Sequence, residues 1–289
     1  MSLDTSPTAA SPGPPAGTAQ RPGLPERLRW EISDALVVTW RNLMRWVRLP
    51  RLLVVSTIQP IMFVLLFNFV FGSAIQIPGV DGYIEYLLPG IYAQAVAFGA
   101  VQTGVALAED LEQGVIDRLR SLPMSRSAVL AGRTLADTLR AGFVVLLMTG
   151  VGVLVGFRFQ TGIWSVLAAF AIIVVFAHAL AWVSAWVGLT SKGAETAQAT
   201  SFVWVFPLVF ASSAFVPPAA MPDWLATFAL VNPISSVVDM ARILMLGQPA
   251  IDILEMSPGF AFARVTVWVV VLLAIFVPLA VSRYRRAAE

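Results

Sequence analysis

Two long apolar runs flank the segment 109–140, which reads EDLEQGVIDRLRSLPMSRSAVLAGRTLADTLR. No other feature limits the chain as much. A charge in hydrocarbon costs roughly 2.5–3.5 kcal/mol even on lenient insertion scales. The segment therefore has to lie in water beside a membrane. It carries Arg118, Arg120, Arg126, Arg133 and Arg140, and basic residues near membrane spans collect on the cytoplasmic side. This island is expected inside the cell, where a soluble partner can push on two spans at once.

The class follows from the same contrast. Of 289 residues, 58% are hydrophobic and 12% charged, whereas a soluble domain averages about 25% charged. The expected fold is all-α and polytopic. The chain has no cysteine, which excludes disulfides and thiolate metal sites. One histidine, His178, cannot build a histidine metal cluster, so no metal site is expected. The basic residues form short blocks between apolar runs, which suits membrane orientation and not a nucleic-acid partner. Residues 1–26 are rich in Pro, Ala, Gly, Ser and Thr and lack an apolar signal region. They are expected to form a disordered cytoplasmic tail ahead of one transmembrane domain over 27–289.

Six spans are expected, at 52–74, 87–108, 141–157, 164–189, 197–215 and 264–281. Ahead of them, Trp30, Val37, Trp40, Met44 and Val47 recur on one helix face, and Arg41, Arg45 and Arg48 on another. That pattern predicts an amphipathic helix lying in the interface with the lipid bilayer. A plain basic flank orienting the first span would occupy the same surface. The segment 216–260 is ambiguous. Counting 224–246 as a seventh span would put the arginine-rich tail outside. It would also bring Asn232, Pro233, Asp239 and Arg242 to membrane depth. A re-entrant hairpin on the outer face, before the last span, is preferred, with Asp239 and Arg242 paired at i, i+3. Then 16 of 19 basic residues fall inside, the exceptions being Arg158, Arg242 and Arg264. Both termini are expected to be cytoplasmic. No repeat relates the two halves, which weighs against inverted-repeat architectures.

Chemistry is sparse. No phosphate-binding loop, Gly-x-Ser-x-Gly elbow or His-Glu-x-x-His is present. Ion-coupled carriers place Asp, Glu or His inside their spans, and here the mid-span ionisable groups reduce to His178. One reading makes His178 a proton relay; the plainer reading makes it a buried ring bonded to backbone. Uphill movement would then draw its energy from a separate ATPase, and the island suits such docking. Glu109, Asp110 and Glu112 sit where the second span leaves the membrane, Gly114 permits a break, 115–122 is amphipathic, and Pro123 ends it. Ser127 can cap the next helix. An ordinary solvated loop with topology-setting arginines is the alternative. Polar or aromatic groups in apolar helices call for a reason. Asn68, Gln94, Gln102, Gln198 and Phe202 are accordingly candidates for a substrate pathway, with interhelical bonding as the plainer role.

The run GVALAEDLEQGVIDRLRSLPMSRSAVLAGRTLADTLR and the run FASSAFVPPAAMPDWLATFALVNPISSVVDMARILMLG resemble the permease subunits of ABC-2 type exporters, in the daunorubicin-resistance group. The resemblance covers about residues 28–286. It implies a six-helix half-transporter in the plasma membrane, dimerised with a second copy or a paralogue. It implies no cofactor and no catalysis in this chain, with ATP and magnesium bound by a partner ATPase. The coupling helix entering that ATPase would comprise Gly114, Val115, Ile116, Asp117, Arg118, Leu119, Arg120, Ser121, Leu122 and Pro123. The interfacial helix would brace the same partner, and the hairpin would cap the exit. Amphipathic drugs or lipid-like compounds are the implied cargo, polysaccharide a sibling. A proton-driven carrier and a membrane anchor without transport are the rivals.

Overall fold

The structure is a computed structural model that describes residues 24–48, 50–75, 77, 79–80, 82–114 and 126–286. Among these there is no strand. The helices are α1 (Leu24–Arg48), α2 (Pro50–Leu66, running on as a π-helical turn, Phe67–Phe71), α3 (Tyr83–Glu112), α4 (Arg126–Val155) and α5 (Ile163–Thr190). They continue with α6 (Ala194–Phe210), α7 (Asp223–Val231), α8 (Pro233–Leu246), α9 (Gln248–Leu254) and α10 (Pro258–Arg286). Four of them, α3, α4 from Ala128 onward, α5 and α10, are long and apolar enough to cross a membrane. The pair α7–α8 would make a fifth, but it bends by 76° at Asn232 and Pro233. Pro233 has no N–H to extend the preceding helix, and the Asn232 side chain caps the next one by accepting the Ile234 N–H at 2.8 Å. The straight seventh span is thus ruled out by chemistry at one dipeptide. The expected first and fifth spans correspond to α2 and α6. The described apolar part of α2, Thr57–Phe71, and the 17 residues of α6 are both shorter than the other four.

α3 is the central helix: it packs against α5, α6, α4 and α8 and is buried along most of its length. It meets α5 backbone to backbone. A Cβ on Gly104 would lie 2.5 Å from the Ser184 carbonyl oxygen, and one on Gly188 would lie 2.2 Å from the Gly104 carbonyl oxygen. Only two glycines allow the backbones to meet, the small-residue contact by which helices associate without a hydrophobic drive between them. Tyr92 on α3 and Thr149 on α4 share a hydrogen bond of 2.8 Å. α10 lies on the outside against α5 and α8, with Val267, Val270, Ile275 and Leu279 exposed. Phe143, Leu146 and Leu154 of α4 are exposed as well. An apolar outer surface of this kind fits helices solvated by hydrocarbon.

The ends of the bundle are stitched by polar contacts. Arg158 closes the far end of α4, donating to the Val153 and Phe157 carbonyls at 3.0 Å, where a cation meets the negative end of the helix dipole. Gln160 donates to Glu85 at 3.1 Å, and Thr161 donates to the Leu244 carbonyl at 2.6 Å. Arg140, expected in water with the rest of the island, is instead 6% exposed and donates to the Gly99 carbonyl of α3 at 2.9 Å, beside Asp137. α4 runs unbroken from Arg126 to Val155, so the last turn of the island belongs to the packed bundle.

The glycine crossing yields a prediction. Gly188→Val drives a branched side chain into backbone and should destabilise the fold by about 1–3 kcal/mol. A lowered thermal unfolding midpoint in detergent micelles would register it, while Gly150→Val, at a glycine with nothing within 4 Å of a built Cβ, should change it little.

Candidate functional site

Two places in the bundle combine charge with an interrupted backbone. The first lies at the end opposite the island. After α6 the chain turns irregularly through 211–216, packed so close to α3 that a Cβ on Gly90 would lie 2.0 Å from the Ala214 carbonyl oxygen. Irregular backbone among apolar helices needs internal partners for its polar groups, and side chains supply them. Tyr86 Oη donates to the Ser213 carbonyl at 3.0 Å, Arg242 Nη2 to that of Ala214 at 3.0 Å, and Tyr83 Oη to that of Phe215 at 2.9 Å. Asn232 Nδ2 donates to the Leu208 and Ala211 carbonyls, and Ser235 Oγ accepts the Ser213 N–H at 2.9 Å.

Arg242 is the hub. It is 1% exposed, its guanidinium stacks 3.5 Å from the Tyr86 ring centroid, and Nε donates to the Tyr86 carbonyl at 2.9 Å. Asp239 accepts from Arg242 at 3.4 Å, from Ser213 at 2.6 Å, and from Arg264 of α10. The expected i, i+3 pair is present, and the structure adds Arg264 as a third member. Sequence spacing had no means of finding it, since 25 residues separate Arg264 from Asp239. Arg264 and Trp268 also donate to the Leu230 and Val231 carbonyls at the end of α7. One carboxylate thus joins α8, α10 and the turn after α6.

The second place is the mouth of the island. α3 ends at Gln113 and Gly114, where Gly114 has φ +62°, a conformation open to glycine and strained for other residues. Val115, Ile116, Asp117, Arg118, Leu119, Arg120, Ser121, Leu122 and Pro123 lie outside the described residues. The two helices bordering them are joined by an ion pair between Asp110 and Arg133. α1 lies along the start of α4: Thr39 Oγ1 donates to the Gly132 carbonyl at 3.0 Å, and a Cβ on Gly132 would be 2.5 Å from the Ala35 carbonyl oxygen. The opposite face of α1 carries Trp30, Val37 and Trp40, each more than 60% exposed. Arg41 and Arg48 are exposed beside them, while the Arg45 side chain is outside the described residues.

The other predicted site residues scatter. Gln94 is buried in α3 with no partner for either end of its amide. Asn68 is half-buried in the π-helical turn of α2, and Gln102 and Gln198 are exposed on α3 and α6. Phe202 is half-buried and belongs to an aromatic run that sequence reasoning missed. Ring centroids 4.8–6.2 Å apart link Phe98, Phe202, Phe206, Phe210, Phe215, Phe67 and Phe63 across α3, α6 and α2. A four-residue spacing from 202 to 210 was its visible trace. His178 has both nitrogens engaged. Trp182 Nε1, a donor only, donates to Nε2 at 3.0 Å, so Nε2 carries no proton. Thr138 donates its hydroxyl to the Thr134 carbonyl and accepts from Nδ1 at 2.9 Å. A single neutral tautomer satisfies the set; the ring is half-buried and both partners are side chains, where the plainer sequence reading had backbone. No group of three metal-binding side chains occurs among the described residues.

The buried carboxylate gives a direct test. Asp239→Ala leaves two guanidinium groups uncompensated and should cost about 3–5 kcal/mol, read as a fall in folded protein recovered and in its unfolding temperature in micelles.

The chain is similar in sequence to known proteins. The family model for the ABC-2 type transporter matches residues 34–246. A daunorubicin resistance ABC transporter permease protein of Streptomyces coeruleorubidus is 35% identical over 257 residues, covering 88% of this chain and 87% of that protein. A probable doxorubicin resistance ABC transporter permease protein of Mycobacterium tuberculosis is 28% identical, covering 92% and 94%. A probable multidrug ABC transporter permease of Escherichia coli is 23% identical, covering 61% of this chain and 47% of its own length. With its apolar helices and a family match over most of its length, the chain is a multi-pass membrane protein that belongs to the ABC-2 type transporter family.

Proposed function

We propose that this chain is the permease subunit of an ATP-driven exporter. In this reading it moves amphipathic drugs or lipid-like compounds out of the cell on energy from a separate ATPase. The observation that carries the proposal is the 35% identity, over nearly the whole chain, to a permease named for daunorubicin resistance. In this reading α2 and α6 join the four long helices to give six spans, with both termini in the cytoplasm and the island facing the ATPase. The π-helical turn extends α2 from Pro50 to Phe71, long enough for a hydrocarbon core of about 30 Å at about 1.5 Å per residue.

Residues 114–123 form the coupling element, and ATP and magnesium stay on the partner. The exposed Trp30, Val37 and Trp40 of α1 sit in the lipid interface, with Arg41 and Arg48 toward phosphate headgroups. The bent pair α7–α8 is the re-entrant element on the outer face. Two permease copies, identical or paralogous, flank the pathway. The aromatic run from Phe98 to Phe63 and the exposed Gln102 and Gln198 belong to its wall, because stacked rings and a few amides suit flat amphipathic molecules. The engaged ring of His178 speaks for ATP drive and against a proton relay.

Co-expression with candidate ATP-binding-cassette subunits tests the reading. One of them should co-purify with the parent chain, and Arg118→Glu with Arg120→Glu should lower the yield by about tenfold or more. Association that ignores both reversals, or no association with any candidate, would overturn it. His178→Asn should leave ATP-driven efflux within about twofold of the parent, because the imidazole makes structural bonds only. A collapse of efflux together with lost dependence on a proton gradient would instead establish the carrier.

A further inference from the structure

The pair formed by Asp110 and Arg133 closes the hairpin whose loop is the island. Asp110 lies four residues before Gly114, in the last turn of α3, and Arg133 lies in the second turn of α4. The two helices that border residues 115–125 are held together while the pair holds. Its side chains are 18% and 27% exposed, so the pair is partly withdrawn from water and less screened than one on an open surface. Its neighbours on both sides are anchored. Gly132, next to Arg133, accepts the Thr39 hydroxyl of α1. Glu112, half a turn beyond Asp110, lies so close to the loop after α5 that a Cβ on Gly193 would be 2.2 Å from its Oε1. Glu109 is exposed, and Asp137 and Arg140 face each other one turn further along α4. Arg133 is therefore the cation placed to bind α3 to α4 at this level.

We propose that Asp110 and Arg133 are positioning residues for transport. By clamping α3 to α4 they make any displacement of the island reach both helices, and α1 through Thr39, as one rigid movement. The proposal rests on the exporter reading for its functional consequence and on the geometry alone for the clamp. The expected signature of a broken clamp is uncoupling: the partner still binds and hydrolyses ATP, but less substrate moves per ATP.

The experiment compares the parent chain, Asp110→Asn, Arg133→Gln, Arg133→Lys and the exchange Asp110→Arg with Arg133→Asp. Each is co-expressed with the ATPase subunit that co-purifies, using ethidium as the transported probe. Asp110→Asn and Arg133→Gln should keep ATP hydrolysis but lose about tenfold or more of ethidium exported per ATP. Arg133→Lys and the exchange should recover at least about a third of it. Normal export by the neutral variants, or an exchange no better than its single components, would overturn the proposal. Hydrogen–deuterium exchange on the purified full chain in micelles provides a readout free of any partner. Protection over 105–112 and 128–136 should fall in the neutral variants and return in the exchange; unchanged protection overturns the clamp. Should the parent chain bind no ATPase, the exporter reading fails while this second measurement still decides the clamp.

Discussion

Broken backbone inside an apolar bundle is the constraint around which this structure is arranged. Water is scarce there, so each carbonyl and amide released from a helix needs a protein partner. The turn after α6 releases several at once. Tyr83, Tyr86 and Arg242 take the carbonyls of Phe215, Ser213 and Ala214, and Asn232 takes two more. Arg242 can do this because Asp239 neutralises it and the Tyr86 ring covers one face. Arg264 meets the same carboxylate from α10. One buried charge cluster thus satisfies the broken backbone and seats α10, while the bend itself is set by Asn232 and Pro233.

α3 carries this arrangement to the other end of the molecule. Its first turns hold Tyr83, Glu85 and Tyr86, its middle meets α5 through Gly104, and its last turn holds Asp110 and Glu112. A helix pinned at both ends and fitted against backbone at its centre bends little, because packed interiors resist continuous deformation. In the proposed exporter that stiffness has a use. A push on the island would be delivered along α3 to the irregular turn and to the bent pair α7–α8. The aromatic run beside α3 and α6 would be rearranged by the same movement.

Much of this was legible in the residues. The alternation of apolar runs with an arginine-rich island gave the membrane class and, within a residue, the bounds of α5, while α10 extends about five residues beyond the expected span at each end. Asn232–Pro233 and the three-residue spacing of Asp239 and Arg242 signalled an interrupted segment and an ion pair, because caps, prolines and i, i+3 neighbours are local devices. Arg140 shows the limit of local reading: its charge reads as solvated, while its burial depends on a carbonyl 41 residues away. The role of Arg264 and the Asp110–Arg133 pair were likewise invisible, being contacts between distant parts of the chain, and the aromatic run showed only its local spacing from 202 to 210.

The sequence by itself determined that the chain is helical, that it crosses a membrane several times, where its charged mouth lies and where a helix has to break. Those properties depend on periodicity, on transfer free energies and on single residues such as Pro233. Tertiary structure alone decided which partners satisfy the broken backbone, which glycines let α3 meet α5, and which carboxylate holds which arginine. These depend on side chains converging from separate helices, and only the packed fold sets the distances between them.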